Sequence, residues 1–160
     1  MIIYITVGSF ERFKRIPFEG LDYDVIHIIY DKARTTIKER LPRVRPEFDS
    51  IKEQKNRVLK LGSECGETFF VMQDSDIKQL GNGIDVMHKE LVENPEIDAV
   101  SLSPKPEDLA YSHPSTSCMM IRSNSVEGLQ LEYESGCFCK ALSKRIRVKL
   151  IKGKYIKECK

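Results

Sequence analysis

Two carboxylates, Asp74 and Asp76, are the side chains in this sequence whose type and spacing best suit chemistry. They follow an apolar run, Thr68–Met72, and one serine separates them. A short continuous run of aromatic and β-branched residues predicts a strand that is buried on both faces. Ligands of open α/β sheets bind beyond the carboxyl ends of the strands. One carboxylate there could bind Mg²⁺ or Mn²⁺, and substrate phosphates would complete the coordination shell of the ion. The other carboxylate could bind the ion through water or hold a ligand hydroxyl. The stretch therefore indicates a metal–diphosphate site.

The same tripeptide also has a purely structural interpretation, because an aspartate can cap the start of a helix. A second Asp-x-Asp, Asp22-Tyr23-Asp24, precedes an apolar run instead of following one, and we interpret it as a solvated turn. The choice for Asp74 and Asp76 therefore depends on the elements around them.

The whole chain has 160 residues, of which 41% are hydrophobic and 31% charged, and a formal net charge of +2. This length and composition predict one globular domain, 1–160, large enough to bury a core. No apolar run reaches about 20 residues, and residues 1–7 lack a basic leader and a cleavage site, so we expect neither a membrane span nor a signal peptide. We accordingly expect a cytoplasmic protein with reduced cysteines. Cys137-Phe138-Cys139, with no second pair or nearby His, is a poor zinc signature.

Basic residues are concentrated near the end of the sequence, where Lys140–Lys160 contains nine Lys or Arg and one acid, Glu158. Such a stretch could contact nucleic acid, anionic lipid or a phosphorylated substrate, or it could be a solvated strand pair and tail. Neither it nor the basic stretch 32–45 has interleaved aromatic residues that would stack on bases. Nucleic acid is therefore not an expected partner.

Apolar runs alternate with helical patterns along the chain. The predicted strands are 2–7, 25–30, 68–72, 99–102, 118–121 and 145–151, and the predicted helices are 50–64, 84–93 and 138–143, with a short helix or turn within 123–131. Residues 32–46 predict a short helix followed by an extended loop, and 104–114 a loop long enough to cover a substrate. Strands that alternate with helices imply an α/β fold with a mainly parallel sheet flanked by helices.

In the order of these features, the sequence resembles the GT-A fold glycosyltransferases, most closely the family-two type that uses nucleotide-diphosphate sugars. Gln54-Lys55-Asn56-Arg57 resembles the start of the family's helix with a basic–Asn pair, and Thr68–Asp76 resembles the strand that delivers its metal-binding Asp-x-Asp. The strand that ends before Asp31 resembles the one whose terminal Asp contacts the nucleotide base. The likeness is best over 1–103, which implies a nucleotide-sugar-binding half there and an acceptor-side half with the basic tail over 104–160.

The resemblance implies transfer of a sugar from a nucleotide-diphosphate donor to an acceptor that could be a glycan, a protein or a lipid. Asp74 and Asp76 would hold Mn²⁺ or Mg²⁺, with Asp76 as the more direct ligand, and the ion would stabilise the leaving diphosphate as a Lewis acid. The nucleotide-sugar site that the resemblance implies comprises Thr6, Ser9, Asp31, Asn56, Arg57, Asp74 and Ser75.

An inverting transferase also needs a carboxylate that accepts the proton of the acceptor hydroxyl. The family's Glu-Asp pair falls at Glu134-Ser135, so the usual catalytic Asp is a serine here, and Glu134 or else Glu132 would be the base. Both glutamates also suit a solvated turn, and a retaining enzyme would need no base in that place.

Two other classes of function stay open. Ser135 favours a catalytically inactive relative that binds a nucleotide or sugar. A nucleotidyltransferase would use the same sheet and the same carboxylates, although Gly8–Arg12 is a weak match to the Gly-rich loop of that class. The sequence has no Trp and no Gln-x-x-Arg-Trp motif, which argues against a processive polysaccharide synthase.

Overall fold

The computed structural model describes residues 1–7, 25–30, 44–48, 54–103, 117–132 and 138–159. Three α-helices and a 3₁₀ helix lie within these ranges: α1 (Gln54–Glu64), α2 (Gly83–Glu93), α3 (Phe138–Ser143) and the 3₁₀ helix Ser123–Val126. The strands there are β1 (Ile2–Val7), β2 (Val25–Tyr30), β3 (Val44–Phe48), β4 (Phe69–Asp74), β5 (Ile77–Gln79), β6 (Ala99–Leu102), β7 (Cys118–Arg122), β8 (Val148–Ile151) and β9 (Ile156–Glu158). No helix in the described part of the chain is long and apolar enough to cross a membrane.

Seven of these strands form a mixed, mainly parallel sheet in the order β3-β2-β1-β4-β7-β6-β8. The neighbours from β3 to β4 pair in parallel, as do β6 and β8, whereas β7 is antiparallel to both of its neighbours. The carboxyl ends of β1, β2, β3 and β4 therefore meet at one edge of the sheet. This arrangement confirms the predicted α/β fold and brings the end of β1 beside the Asp-x-Asp motif.

Apolar side chains of β1 and β4 lie on both faces of the sheet, because successive residues of a strand point in opposite directions. Phe69 and Val71 belong to a core that also contains residues of α2, whereas Phe70 and Met72 belong to a second core with residues of α1. All four are buried, which explains why β4 is continuously apolar instead of alternating.

A separate two-stranded sheet follows the Asp-x-Asp motif. Ile77 pairs with Glu158 and Gln79 with Ile156 in antiparallel register. The backbone N–H of Leu80 donates to Tyr155 O at 2.7 Å, which continues the pairing past β5. A strand therefore follows the motif, and the alternative interpretation of the motif as a helix start is wrong.

The structure also corrects three predicted boundaries. Residues 44–46, expected within an extended loop, belong to β3, whose Pro46 is tolerated because β3 lies at the edge of the sheet. The segment after Gly153, expected as a basic tail, contains β9, and the last strand of the main sheet begins at 148 instead of 145. The helix expected over 50–64 is α1 from Gln54, and residues 50–53 lie outside the described part.

Candidate functional site

Asp74 is the last residue of β4 and pairs in register with Thr6 of β1. The Thr6 hydroxyl donates a hydrogen bond to Asp74 Oδ1 at 3.1 Å. The backbone N–H of Asp74 donates to Ser117 O at 3.0 Å, and that of Ser75 donates to Thr6 O at 3.1 Å. These bonds fix both the backbone and the carboxylate of Asp74 at the carboxyl end of the strand.

Lys55 brings a positive charge to this carboxylate from the first turn of α1. Its ammonium contacts Asp74 Oδ1, the same oxygen that accepts from Thr6. The Lys55 side chain is 16% exposed and the Asp74 side chain 35% exposed, so the ion pair is partly shielded from water. A shielded, hydrogen-bonded ion pair orients its partners better than an exposed pair does.

Asp76 lies in a different environment, although only Ser75 separates it from Asp74. Ser75 is buried, whereas Asp76 is exposed in the turn between β4 and β5. The backbone N–H of Cys159 donates to Asp76 O at 2.6 Å, so the residue that follows β9 holds this turn. The turn thus presents the second carboxylate to solvent.

A buried polar cluster lies beneath the Asp-x-Asp turn. Gln73 donates through Nε2 to Ile77 O at 2.9 Å and accepts at Oε1 from Gln79 Nε2 at 2.7 Å. Gln79 Nε2 also lies 3.1 Å from Cys118 Sγ. Burial raises the pKa of the Cys118 thiol to about 12, the hydrogen bond from Gln79 opposes the rise, and the charge of Asp74 adds to it. The cluster joins both ends of the turn to β7.

Asn56 and Arg57 are the two α1 residues of the sequence-based site, and they lie on another side of the helix from the contact between Lys55 and Asp74. Asn56 Nδ2 donates to Leu131 O, and Leu131 N–H donates to Asn56 Oδ1, both at 2.9 Å. Arg57 lines a cavity of about 450 Å³ between α1 and residues 126–130. Glu132, which follows Leu131, is exposed.

The structure therefore gathers part of the sequence-based site at one place. Thr6, Asp74, Ser75 and Asp76 lie together at the carboxyl ends of β1 and β4, and Asn56 and Glu132 lie near each other through Leu131. Three of the residues that the resemblance implied, Ser9, Asp31 and Glu134, lie outside the described ranges.

The described side chains at this edge offer two carboxylates, Asp74 and Asp76, as possible ligands of a divalent ion. Among the described side chains, no group of three or more His, Cys, Asp or Glu could hold a metal ion. Lys55 and Thr6 both contact Asp74 Oδ1, and Asp76 is exposed, so the Asp76 carboxylate and Asp74 Oδ2 are the carboxylate oxygens at this edge that could bind an ion. One or two carboxylates are sufficient for Mg²⁺ when substrate phosphates and water complete its shell.

Sequence reasoning missed Lys55 as a member of the site. The signal was present, because Lys55 is the basic residue of the basic–Asn pair that carried the resemblance. The polar cluster of Gln73, Gln79 and Cys118 gave no comparable signal, since Cys118 is far from the two glutamines in the sequence and becomes their neighbour only in the folded protein.

Neither a scan of family models nor a search of curated proteins finds a match. The comparison with known proteins therefore rests on solved structures. The mannosyltransferase PcManGT from Pyrobaculum calidifontis, solved with GDP-Man and Mn²⁺, matches with a TM-score of 0.62 and 13% identity, over 94% of this chain and 54% of that one. TarS 1–349 from S. aureus matches with a TM-score of 0.61 and 11% identity, over 99% and 60%.

A third similar structure is CMP:2-keto-3-deoxy-manno-octonic acid synthetase, solved with CTP. It matches with a TM-score of 0.57 and 8% identity, over 94% of this chain and 88% of that one. The present chain thus spans little more than half of PcManGT and three-fifths of the TarS structure. At these identities the likeness concerns the fold alone, and the chain has an α/β fold that resembles GT-A structures.

Proposed function

We propose that the protein is a glycosyltransferase that moves a sugar from a nucleotide-diphosphate donor to an acceptor. The observation that carries this proposal is the position of Asp74 and Asp76 at the carboxyl end of β4, next to the end of β1, in a GT-A fold. Ligands of open α/β sheets bind at such an edge. GDP-Man in the PcManGT structure supports a nucleotide sugar as the donor class.

The residues at this edge have complementary chemistry for such a donor. Departure of a nucleoside diphosphate develops negative charge, which the Lys55 ammonium would help to balance. Asp74, which Thr6 and Lys55 hold in place, would accept a hydrogen bond from a hydroxyl of the nucleotide. Asp76 would hold Mn²⁺ or Mg²⁺, which acts as a Lewis acid on the diphosphate when it is bound.

The acceptor side of the proposal depends on two glutamates. Glu132 is exposed and directly follows the segment held by Asn56, and Glu134 is two residues further along the sequence. Either one could accept the proton of an acceptor hydroxyl if the reaction inverts the sugar.

A nucleotidyltransferase is the second candidate, and one comparison favours it specifically. The match covers 88% of the synthetase solved with CTP, whereas it covers 54% of PcManGT and 60% of the TarS structure. The two functions differ in their product: sugar transfer releases a nucleoside diphosphate, whereas nucleotidyl transfer from CTP releases pyrophosphate.

Both candidates can be tested in one screen. The protein is incubated with GDP-mannose, UDP-glucose, UDP-N-acetylglucosamine or CTP, with MnCl₂ or with EDTA, and thermal stabilisation and phosphate products are measured. We expect stabilisation by one nucleotide sugar, stronger with Mn²⁺ than with EDTA, and slow release of its nucleoside diphosphate. Pyrophosphate release from CTP in the presence of a sugar acid would support the second candidate instead.

A pair of variants connects the result to the site. Asp76→Asn should remove most of the advantage of Mn²⁺ over EDTA, because the ion loses its protein carboxylate. Asp85→Asn, an exposed aspartate in the first turn of α2, is the matched control and should behave like the parent. Equal donor affinity in Mn²⁺ and EDTA for the parent would refute the metal-dependent form of the proposal.

A further inference from the structure

The chain segment that follows the 3₁₀ helix depends on contacts from another element. Residues 127–132 form neither a helix nor a strand, so their backbone groups lack a regular ladder of hydrogen bonds. Leu129 N–H donates to Val126 O at 3.1 Å. Leu131 is only 4% exposed and packs in the core beside α1, so its backbone polar groups need partners within the protein.

Asn56 supplies those partners. Its side-chain amide donates to the carbonyl of Leu131 and accepts from the N–H of the same residue, each at 2.9 Å. The Asn56 amide thus donates to and accepts from the backbone of Leu131, as a peptide group of a neighbouring strand would in a sheet. Two bonds to one residue fix both the position and the orientation of its backbone, whereas a single bond would leave rotation about that bond.

The same helical turn also holds the donor-side carboxylate. Lys55 contacts Asp74, and the next residue, Asn56, holds Leu131. Consecutive residues on a helix point about 100° apart, so one rigid turn can reach two segments on different sides. The end of β4 and the segment that leads to Glu132 are therefore positioned from a common support.

We propose that Asn56 is a positioning residue, which sets the place of the Leu131–Glu132 segment, and with it the acceptor side of the site, relative to Asp74. This role rests on the proposed glycosyltransferase function and differs from the nucleotide contact that the resemblance implied for Asn56. It predicts that loss of the Asn56 amide leaves donor affinity intact and impairs turnover.

The test compares Asn56→Ala and Asn56→Asp with the parent and with Lys60→Ala, an exposed residue of the same helix. The donor is the nucleotide sugar that the screen identifies; its Kd is measured by calorimetry and its turnover by nucleoside diphosphate release. Hydrogen–deuterium exchange is followed in peptides that cover 127–132. For Asn56→Ala we expect a Kd within about twofold of the parent, turnover lower by about tenfold or more, and faster exchange in 127–132.

Asn56→Asp provides a readout that a general loss of stability would not give. A carboxylate can still accept from Leu131 N–H but repels Leu131 O, whereas a protonated carboxyl group can donate to that carbonyl. The usual pKa of Asp is about 3.9 and the repulsion raises it in the folded protein, so the difference in Tm between this variant and the parent should become smaller as the pH falls from 7 to 4. A difference that is the same at both pH values would argue against the two-bond contact.

The outcomes separate this inference from the proposed function. If the Kd rises together with the loss of turnover and exchange in 127–132 stays unchanged, Asn56 is a nucleotide contact and the positioning role is wrong. If the parent neither binds nor turns over any nucleotide sugar, the proposed function fails. In that case faster exchange in Asn56→Ala still supports the positioning of Leu131, and unchanged exchange overturns it.

Discussion

At Asp74, the Thr6 hydroxyl and the Lys55 ammonium both reach the same carboxylate oxygen, whereas Asp76, two residues later, is exposed in a turn. Two carboxylates of one motif thus differ in charge balance and in exposure. In the proposed function, Asp74 would accept a hydrogen bond from the nucleotide, and Asp76 would hold a hard cation that also binds phosphate and water. This division follows from the neighbours of each residue and not from its type.

Lys55 offers the most direct test of this charge balance. Replacement of Lys55 by Met leaves the Asp74 carboxylate without its cation, so a bound diphosphate would meet an uncompensated negative charge. We expect the affinity for GDP or UDP to fall roughly three- to tenfold in Lys55→Met, as measured by calorimetry in MnCl₂. Lys55→Arg should retain most of the affinity because it retains the charge.

Lys60→Met is the matched control for this prediction, because Lys60 is exposed on the same helix and should not affect the nucleotide. Unchanged affinity in Lys55→Met would mean that the ion pair serves only to anchor α1 to β4.

Cys118 allows a prediction about pH that does not depend on the function. Burial raises the pKa of its thiol from 9.0 to about 12, so between these values the unfolded chain releases a proton that the native protein retains. The free energy of unfolding must therefore decrease as the pH rises above 9, by up to roughly 1.4 kcal/mol per pH unit from this group. Urea denaturation between pH 8 and pH 10.5 measures the slope.

The comparison with Cys118→Ala and Cys118→Ser isolates the thiol. Both variants lack a titrating group at this position, so both should lose less stability than the parent as the pH rises, whatever their stability at pH 8. Parallel pH profiles for the parent and both variants would contradict the buried, protonated thiol.

Among the elements, α1 matters most for the site because it carries both Lys55 and Asn56, and its distance from the sheet depends on Gly62. A Cβ at Gly62 would lie 2.4 Å from the ring of Phe70. Phe70 is fully buried, and its ring packs edge-on against Tyr4 with centroids 5.8 Å apart, so the ring would have to shift within the core. Glycine therefore permits the close approach that places Lys55 beside Asp74.

Gly62→Ala should destabilise the protein even though alanine is the better helix former. Overpacking of a filled core costs about 1–3 kcal/mol, which exceeds the gain of about 0.5–1 kcal/mol from helix propensity. Chemical denaturation of the variant measures the difference, with Ser63→Ala on the same helix as the control. An increase in stability would show that α1 can shift away from β4 at little cost.

The long elements could be predicted from the sequence, because each one buries a pattern that is visible locally. The apolar run before Asp74 predicts β4, and the runs at 2–7, 25–30 and 99–102 give strands with those bounds. The placement of the Asp-x-Asp motif at the carboxyl end of a buried strand follows from the same pattern.

The short elements could not be predicted, because their stability comes from partners far away in the chain. β5 and β9 have three residues each and exist through their mutual pairing, which no local pattern records. β3 contains Pro46, which argues against a strand unless the strand is known to lie at a sheet edge. The direction of the Asn56 side chain likewise depends on where Leu131 lies in the folded protein.

At the scale of the whole molecule, the sheet order brings together residues from three distant parts of the sequence. Thr6, Lys55 and Asp74 meet because β1 and β4 are neighbours and α1 covers them. The antiparallel strand β7 then leads the chain through the 3₁₀ helix to Leu131, where Asn56 holds it. The donor side and the acceptor side of the proposed site are thus built from separate stretches that one helix connects.

This organisation leads to a prediction about catalysis that separates an enzyme from a binding protein. In an inverting transferase, Glu132 or Glu134 accepts the proton of the acceptor hydroxyl. Replacement of the true base by Gln preserves its shape and removes its basicity, so the donor Kd should stay within about twofold while transfer falls by roughly a hundredfold or more. The measurement needs the donor from the screen and a mixture of glycan, peptide and lipid acceptors.

Glu127→Gln is the matched control, because Glu127 is exposed in the same segment but precedes the residue that Asn56 holds. If both the Glu132 and Glu134 variants transfer sugar like the parent, the reaction is retaining or the base lies elsewhere. Ser135 cannot replace them, since an unactivated hydroxyl is not basic at neutral pH. If the parent binds the donor but transfers sugar to nothing, the fold serves to bind nucleotide sugars. The decisive variant is then Ser135→Asp, which introduces the aspartate that the resemblance implied at this position.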